Sequence, residues 1–188
     1  MKIFVIGYSR TGKTSFAKKL AKDIGFEHLT ASSWLREIYD GPAQSHLSEK
    51  ELIRKMTDFS IEQLKANPFV AAKFLSEKIK DVENIVIDGI RNPIDFQALF
   101  DPKVDHVILI NRKGYLPQTR FEMAGIDAIC CILDFYAIID KDFAYRRHRR
   151  LGLSNGIRFN SFIWEYDADL DERSNYFTGL FNDERKNT

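Results

Sequence analysis

Short apolar runs and amphipathic stretches alternate along this chain, and their periods predict its elements. Ile3-Phe4-Val5-Ile6 is continuous, β-branched and aromatic, and Gly7 closes it. Such a run over residues 2–6 reads as a buried strand of a parallel sheet. From Lys13 to Ile24 the apolar positions are Phe16, Ala17, Leu20, Ala21 and Ile24, which is helical spacing, and Gly25 is a natural stop. Phe26 to Leu29 predicts a second strand, and Thr30 to Ser33 offers hydroxyls to cap a helix starting near Trp34. Gly41, Pro42 and Ser45 mark residues 40–48 as a loop. Ser48 stands three residues before Glu51, a capping-box spacing that opens a helix to about Lys65. Asn67-Pro68 breaks it, and the helical period resumes from Phe69 to Val82.

Ile85-Val86-Ile87 predicts the next buried strand, ending at Asp88-Gly89. Pro93 to Phe100 predicts a short helix with proline at its start. Val104 to Ile110 predicts a further strand, ending at Asn111-Arg112. The order β-α-β-α-α-β-α-β implies an α/β fold in three layers: a mostly parallel, five-stranded sheet with helices on both faces. Beyond Lys113 the pattern predicts a largely helical stretch from Thr119 to about Arg150 and a loop over 151–160. A last strand over 161–165 and a helix from Asp169 to Phe181 follow. Residues 182–188 are polar. There is no internal repeat, and residues 1–188 read as one domain.

Charge changes this picture little. Lys and Arg (28) nearly cancel Asp and Glu (27), so no global field favours nucleic acid or an anionic membrane. No apolar run approaches a membrane span, and the start of the chain is broken too soon by glycine for a signal peptide; a soluble, cytoplasmic protein is expected. Cys130 and Cys131 are adjacent, without zinc or redox spacing, and read as two buried thiols in an apolar run. His28, His46, His106 and His148 are scattered and are assigned no catalytic role.

The candidate chemistry begins at Gly7-Tyr8-Ser9-Arg10-Thr11-Gly12-Lys13-Thr14, a full match to G-x-x-x-x-G-K-S/T between a predicted strand and a predicted helix. Glycines let backbone N–H groups converge on phosphates, and the helix start adds its positive dipole end. Lys13 is expected to reach the β- and γ-phosphates, and the Thr14 hydroxyl to coordinate magnesium. Ser15 stands where it can touch the α-phosphate. A loop of this kind needs an acidic group at the end of a neighbouring strand. Asp88 holds that position, and the alternative is a turn-forming Asp-Gly pair. Arg91, three residues on, suits bidentate capture of a phosphate at the sheet edge; the alternative is a helix-cap ion pair.

Gly7 to Thr14, Ser32-Ser33-Trp34-Leu35-Arg36-Glu37 and Ile87-Asp88-Gly89-Ile90-Arg91-Asn92 together resemble the nucleoside monophosphate kinase family. Adenylate kinases carry a similar helix start and a D-G-x-P-R stretch. The D-G-I-R form here lacks the proline and is similar to phage-type deoxynucleoside monophosphate kinases, dephospho-CoA kinases and an archaeal adenylate-kinase-like family. The resemblance covers about residues 1–112. It implies ATP as phosphoryl donor and Mg2+ as cofactor, with Asp88 serving the metal. It also implies an acceptor monophosphate held by Arg36, Ser33 and Arg91, and an acceptor-binding region of about 34–80. Arg112 matches the place of a lid arginine over the nucleotide.

Residues 113–160 depart from the adenylate kinase lid and are expected to form a lid or an arm. Arg120 and the cluster Arg146-Arg147-His148-Arg149-Arg150 are either lid arginines or a solvated basic helix end. Tyr115, Phe121, Phe135, Tyr136, Phe143 and Tyr145 read mostly as core, with base stacking the alternative. The expected activity is transfer of the γ-phosphate of ATP to a nucleoside or deoxynucleoside monophosphate by a monomer or homodimer. Two alternatives stand beside it. One is a kinase for another small molecule, such as dephospho-CoA; the other is a nucleotide-dependent switch or ATPase, for which no N-K-x-D guanine-reading stretch is present.

Overall fold

A computed structural model describes residues 1–39, 48–112, 120–139, 161–164, 174–175 and 178–179. Its strands are β1 (Lys2–Gly7), β2 (Glu27–Thr30), β3 (Ile85–Asp88), β4 (His106–Arg112) and β5 (Ser161–Trp164). Its helices are α1 (Lys13–Ile24), α2 (Ser33–Ile38), α3 (Glu49–Ala66), α4 (Val70–Ile79), α5 (Pro93–Leu99) and α6 (Arg120–Ile139). The strands lie in the order β2-β3-β1-β4-β5, and every pairing is parallel.

Alternation along the strands builds two core layers. Ile3 and Val5 of β1, with Val86, Ile108 and Ile110, pack against the apolar stripe of α1: Phe16, Ala17, Leu20, Ala21 and Ile24. Phe4 and Ile6, with Ile85 and Ile87, face the opposite way onto Phe96, Leu99, Ile126, Ile129 and Leu133 of α5 and α6. Phe4 meets Phe96 and Phe100 edge-on. The period of two in the strands and of 3.6 in the helices thus yields helices on both faces, as expected.

The local signals act as anticipated at several ends. Ser48 and Glu51 form a reciprocal capping box on α3, Asn92 caps α5 ahead of Pro93, and Gly25 ends α1 in the left-handed region. Three expectations change. Ser32 occupies the N-cap of α2, but its hydroxyl makes no capping bond. The helix expected over 69–82 is shorter, Val70–Ile79. The strand expected from Val104 starts at His106, because Asp101 and Asp105 hold a turn instead. Asp105 accepts from the backbone N–H of Lys2 (2.7 Å) and of Asp101 (2.8 Å) and pairs with the Lys2 ammonium (2.9 Å), which leaves Val104 exposed.

The described residues between β2 and β3 are mainly helical. Lys78 of α4 pairs with Glu37 of α2 (2.8 Å), and Tyr39 meets the Phe59 ring of α3 edge-on. Of the helix expected over 119–150, Arg120–Ile139 is described. The loop at 40–47, residues 140–160 with the Arg146–Arg150 cluster, Tyr115, and most of 165–188 lie outside the described residues. No described helix is long and apolar enough to cross a membrane.

Candidate active site

Three strands end together at the carboxyl edge of the sheet and supply the site: β1 at Gly7, β3 at Asp88, and β4 beside them, with Val5 level with Asp88 and Gly7 level with Ile110. The loop from Gly7 to Gly12 turns tightly between β1 and α1. Gly7 has φ 147°, and a Cβ there would stand 2.2 Å from the Ile110 carbonyl oxygen, so only glycine lets the loop leave the sheet this close to β4. Arg10 takes φ 62°, an uncommon conformation for a residue with a side chain. The Thr11 hydroxyl donates to the Tyr8 carbonyl (2.8 Å) and closes the turn from within.

Lys13 is buried, at 6% exposure, and its ammonium donates to the Tyr8 carbonyl (3.0 Å). Burial pushes its pKa down to about 8, with the Arg91 guanidinium adding to the effect and Asp88 and Glu122 opposing it. A lysine held by its own loop, with two cations and two carboxylates in balance, is arranged to change partner when a polyanion enters. Thr14 is half-buried at the start of α1, and Ser15 is exposed.

Asp88 is wholly buried at the end of β3. Among the described residues neither of its carboxylate oxygens has a hydrogen-bond partner. His28 on β2 brings Nε2 to 3.8 Å from Oδ1, and the Thr14 and Thr30 hydroxyls are also close enough to act on its charge. Burial works to raise this carboxyl, but His28 foremost, then Thr14 and Thr30, outweigh it and hold the group below the usual carboxylate range. A buried carboxylate with unfilled lone pairs beside a threonine hydroxyl fits a hard cation that keeps most of its shell for phosphate and water. The group therefore suits Mg2+ held by Thr14 and Asp88. Among the described residues no cluster of three His, Cys, Asp or Glu competes for a metal.

Arg91 follows β3 with its side chain 43% exposed. Its Nε lies 3.6 Å from Oε1 of Glu122, on the first turn of α6. Glu122 itself is 2% exposed, and the same Oε1 accepts the backbone N–H of Ser9 in the loop. Tyr8 packs toward this helix; burial raises its phenol, as do Asp127, Cys130 and Glu122.

The structure thus brings together the 7–14 loop, Asp88 and Arg91. Arg36 is exposed in the last turn of α2, and the Ser33 hydroxyl is buried without a hydrogen-bond partner among the described residues. Arg112 ends β4 level with Trp164 of β5. Two groups at the site carry no motif in the sequence. His28 stands apart from any other site residue along the chain, and its nearness to Asp88 arises only from the β2–β3 pairing. Glu122 carries no local motif. Its one signal is the small residue Gly125 one turn later, which lets α6 approach the Arg91 backbone.

Fold and loop together define an α/β protein of the phosphate-binding-loop type. No protein-family model matches the chain, and no curated protein matches it. Among solved structures the chain is similar to shikimate kinase from Aquifex aeolicus (13% identity, covering 100% of each chain, TM-score 0.46). It is also similar to a gluconokinase from Sinorhizobium meliloti (14% identity, covering 99% of this chain and 94% of that one, TM-score 0.45). A third is dephospho-CoA kinase from Campylobacter jejuni (12% identity, covering 97% and 96%, TM-score 0.44).

Proposed function

We propose that this protein transfers the γ-phosphate of ATP to a nucleoside or deoxynucleoside monophosphate, with Mg2+ held by Thr14 and Asp88. The observation that carries this reading is the placement of Arg91. A half-exposed guanidinium stands at the sheet edge next to the phosphate loop, with a buried Lys13 between it and Asp88 in the balance of charges. Phosphoryl transfer asks chiefly for alignment and neutralisation of charge, and a second cation beside the loop serves an acceptor that is itself anionic. Magnesium at Thr14 and Asp88 would neutralise negative charge on the donor phosphates. The chain's own groups do the rest. Loop N–H groups and Lys13 hold the donor triphosphate, and Arg91, with Arg36 and Ser33 from α2, holds the acceptor phosphate. Helices α2 to α4 form the acceptor-binding region, and Arg112 serves the nucleotide side.

The test is kinetic. Arg91→Ala should raise KM for the acceptor by about a hundredfold and leave KM for ATP within about threefold. Equal losses for both substrates would remove Arg91 from the acceptor side. A second reading, an alcohol acceptor deprotonated by a carboxylate, draws on one observation: the buried Glu122 carboxylate at the loop.

A further inference from the structure

Glu122 is joined to both halves of the site by one oxygen. Its Oε1 accepts the Ser9 N–H of the phosphate loop and faces Arg91 Nε at 3.6 Å. The carboxylate is 2% exposed, so it was carried out of water to reach this position, a cost that needs compensating partners. The helix that carries it is seated on the same arginine. At Gly125, one turn after Glu122, an added Cβ would stand 2.1 Å from the Arg91 carbonyl oxygen, a backbone atom that cannot step aside. Beneath, Ile126, Ile129 and Leu133 lock α6 into the core against Phe4 and Phe96. Helix α6 therefore touches Arg91 at its backbone and at its side chain, and touches the loop at Ser9.

The direction of the ion pair matters. The ion pair is at Nε, the inner edge of the guanidinium, and the side chain is 43% exposed. A guanidinium paired on its Nε side still has two terminal nitrogens for a phosphate. Without a carboxylate there, a long arginine side chain on a surface loses its aim and pays for it in entropy on binding. Glu122 also offsets the repulsion between Arg91 and Lys13, which tends to drive the two cations apart.

We infer that Glu122 is a positioning residue: it clamps Arg91 to the phosphate loop, so that the arginine's terminal nitrogens stay aimed at the acceptor phosphate. The kinetic consequence rests on the phosphotransferase reading; the clamp itself does not, and two readouts keep them apart. The first uses the full-length, nucleotide-free protein labelled with 15N-arginine, with the Arg91 Nε–H signal identified by its loss in Arg91→Lys. Its 15N relaxation should report an ordered side chain in the wild type and a mobile one in Glu122→Gln, which keeps an oxygen for Ser9 N–H and so keeps α6 docked. Gly125→Ala, which lifts the helix without changing charge, should release it too. A mobile Arg91 side chain in the wild type, or one whose order is unchanged by Glu122→Gln, overturns the inference whatever the protein catalyses.

The second readout is a double-mutant cycle on acceptor KM. Glu122→Gln should raise it about tenfold in the wild type, with kcat within about threefold, and change it less than about twofold in the Arg91→Ala background. A loss in kcat that persists in Arg91→Ala, together with disappearance of the acid limb of the pH profile, would make Glu122 a base acting on the acceptor and would overturn the positioning role. An ordered Arg91 side chain in a protein that uses no phosphorylated acceptor would retain the clamp and discard the proposed function.

Discussion

Raising the pH above 8 should weaken nucleotide binding through a single side chain. Burial, then the nearby Arg91 cation, lowers Lys13 from its ordinary 10.5 to about 8 in the free protein. A triphosphate selects the ammonium form, so binding above that value must take up a proton. With a pKa of about 8, roughly a tenth of the lysine is neutral at pH 7 and about nine-tenths at pH 9. Affinity for MgATP should therefore fall about tenfold between pH 7 and pH 9, or about 1.4 kcal/mol. The sign for stability is opposite. Between pH 8 and 10.5 the unfolded chain holds the proton that the folded chain has lost, so the nucleotide-free fold gains stability as pH rises through that window. Titration calorimetry, run at each pH in two buffers of different ionisation heat, counts the protons directly. Uptake should rise from about 0.1 to about 0.9 per nucleotide bound. Lys13→Arg, charged throughout, should bind with no such trend. Flat affinity and no added uptake at pH 9 would refute the burial argument for Lys13.

Three further outcomes follow from neighbouring geometry. Gly7→Ala drives a Cβ into the Ile110 carbonyl and should destabilise the fold by roughly 3 kcal/mol in denaturant titration while abolishing ATP binding. Asp88→Asn keeps the shape but removes the anion, and should lower kcat by about a hundredfold or more while raising the magnesium concentration needed for half-activity. Burial raises Asp95 from 3.8 to about 6 against the pull of the Ala72 N–H and the Asn92 side chain, so the folded chain loses stability as pH rises through that range. Asp95→Asn should accordingly stabilise the protein by about 2 kcal/mol at pH 7, with the gain shrinking toward pH 4 in parallel denaturation curves.

What the sequence disclosed follows the range of the interactions concerned. The strand run at Ile3–Ile6, the α1 stripe from Phe16 to Ile24 and the Gly7–Thr14 loop are written in contiguous residues, and all lie where their periods place them. Asp88 and Arg91 were legible because they follow a strand whose end must lie beside the loop in a parallel sheet. The turn at 101–105 was not, since Asp105 is held by Lys2 on a strand far away in sequence. Glu122 and His28 became visible only when α6 crossed onto Arg91 and β2 paired with β3, which is information about packing rather than period.

The decisive measurement of monophosphate kinase activity supplies MgATP and each ribo- and deoxyribonucleoside monophosphate in turn, with dephospho-CoA in the same panel, and follows diphosphate formation. Turnover should depend on one monophosphate or a few and vanish in Lys13→Ala. ATP loss at one slow rate, whatever acceptor is present, would rule out a monophosphate acceptor.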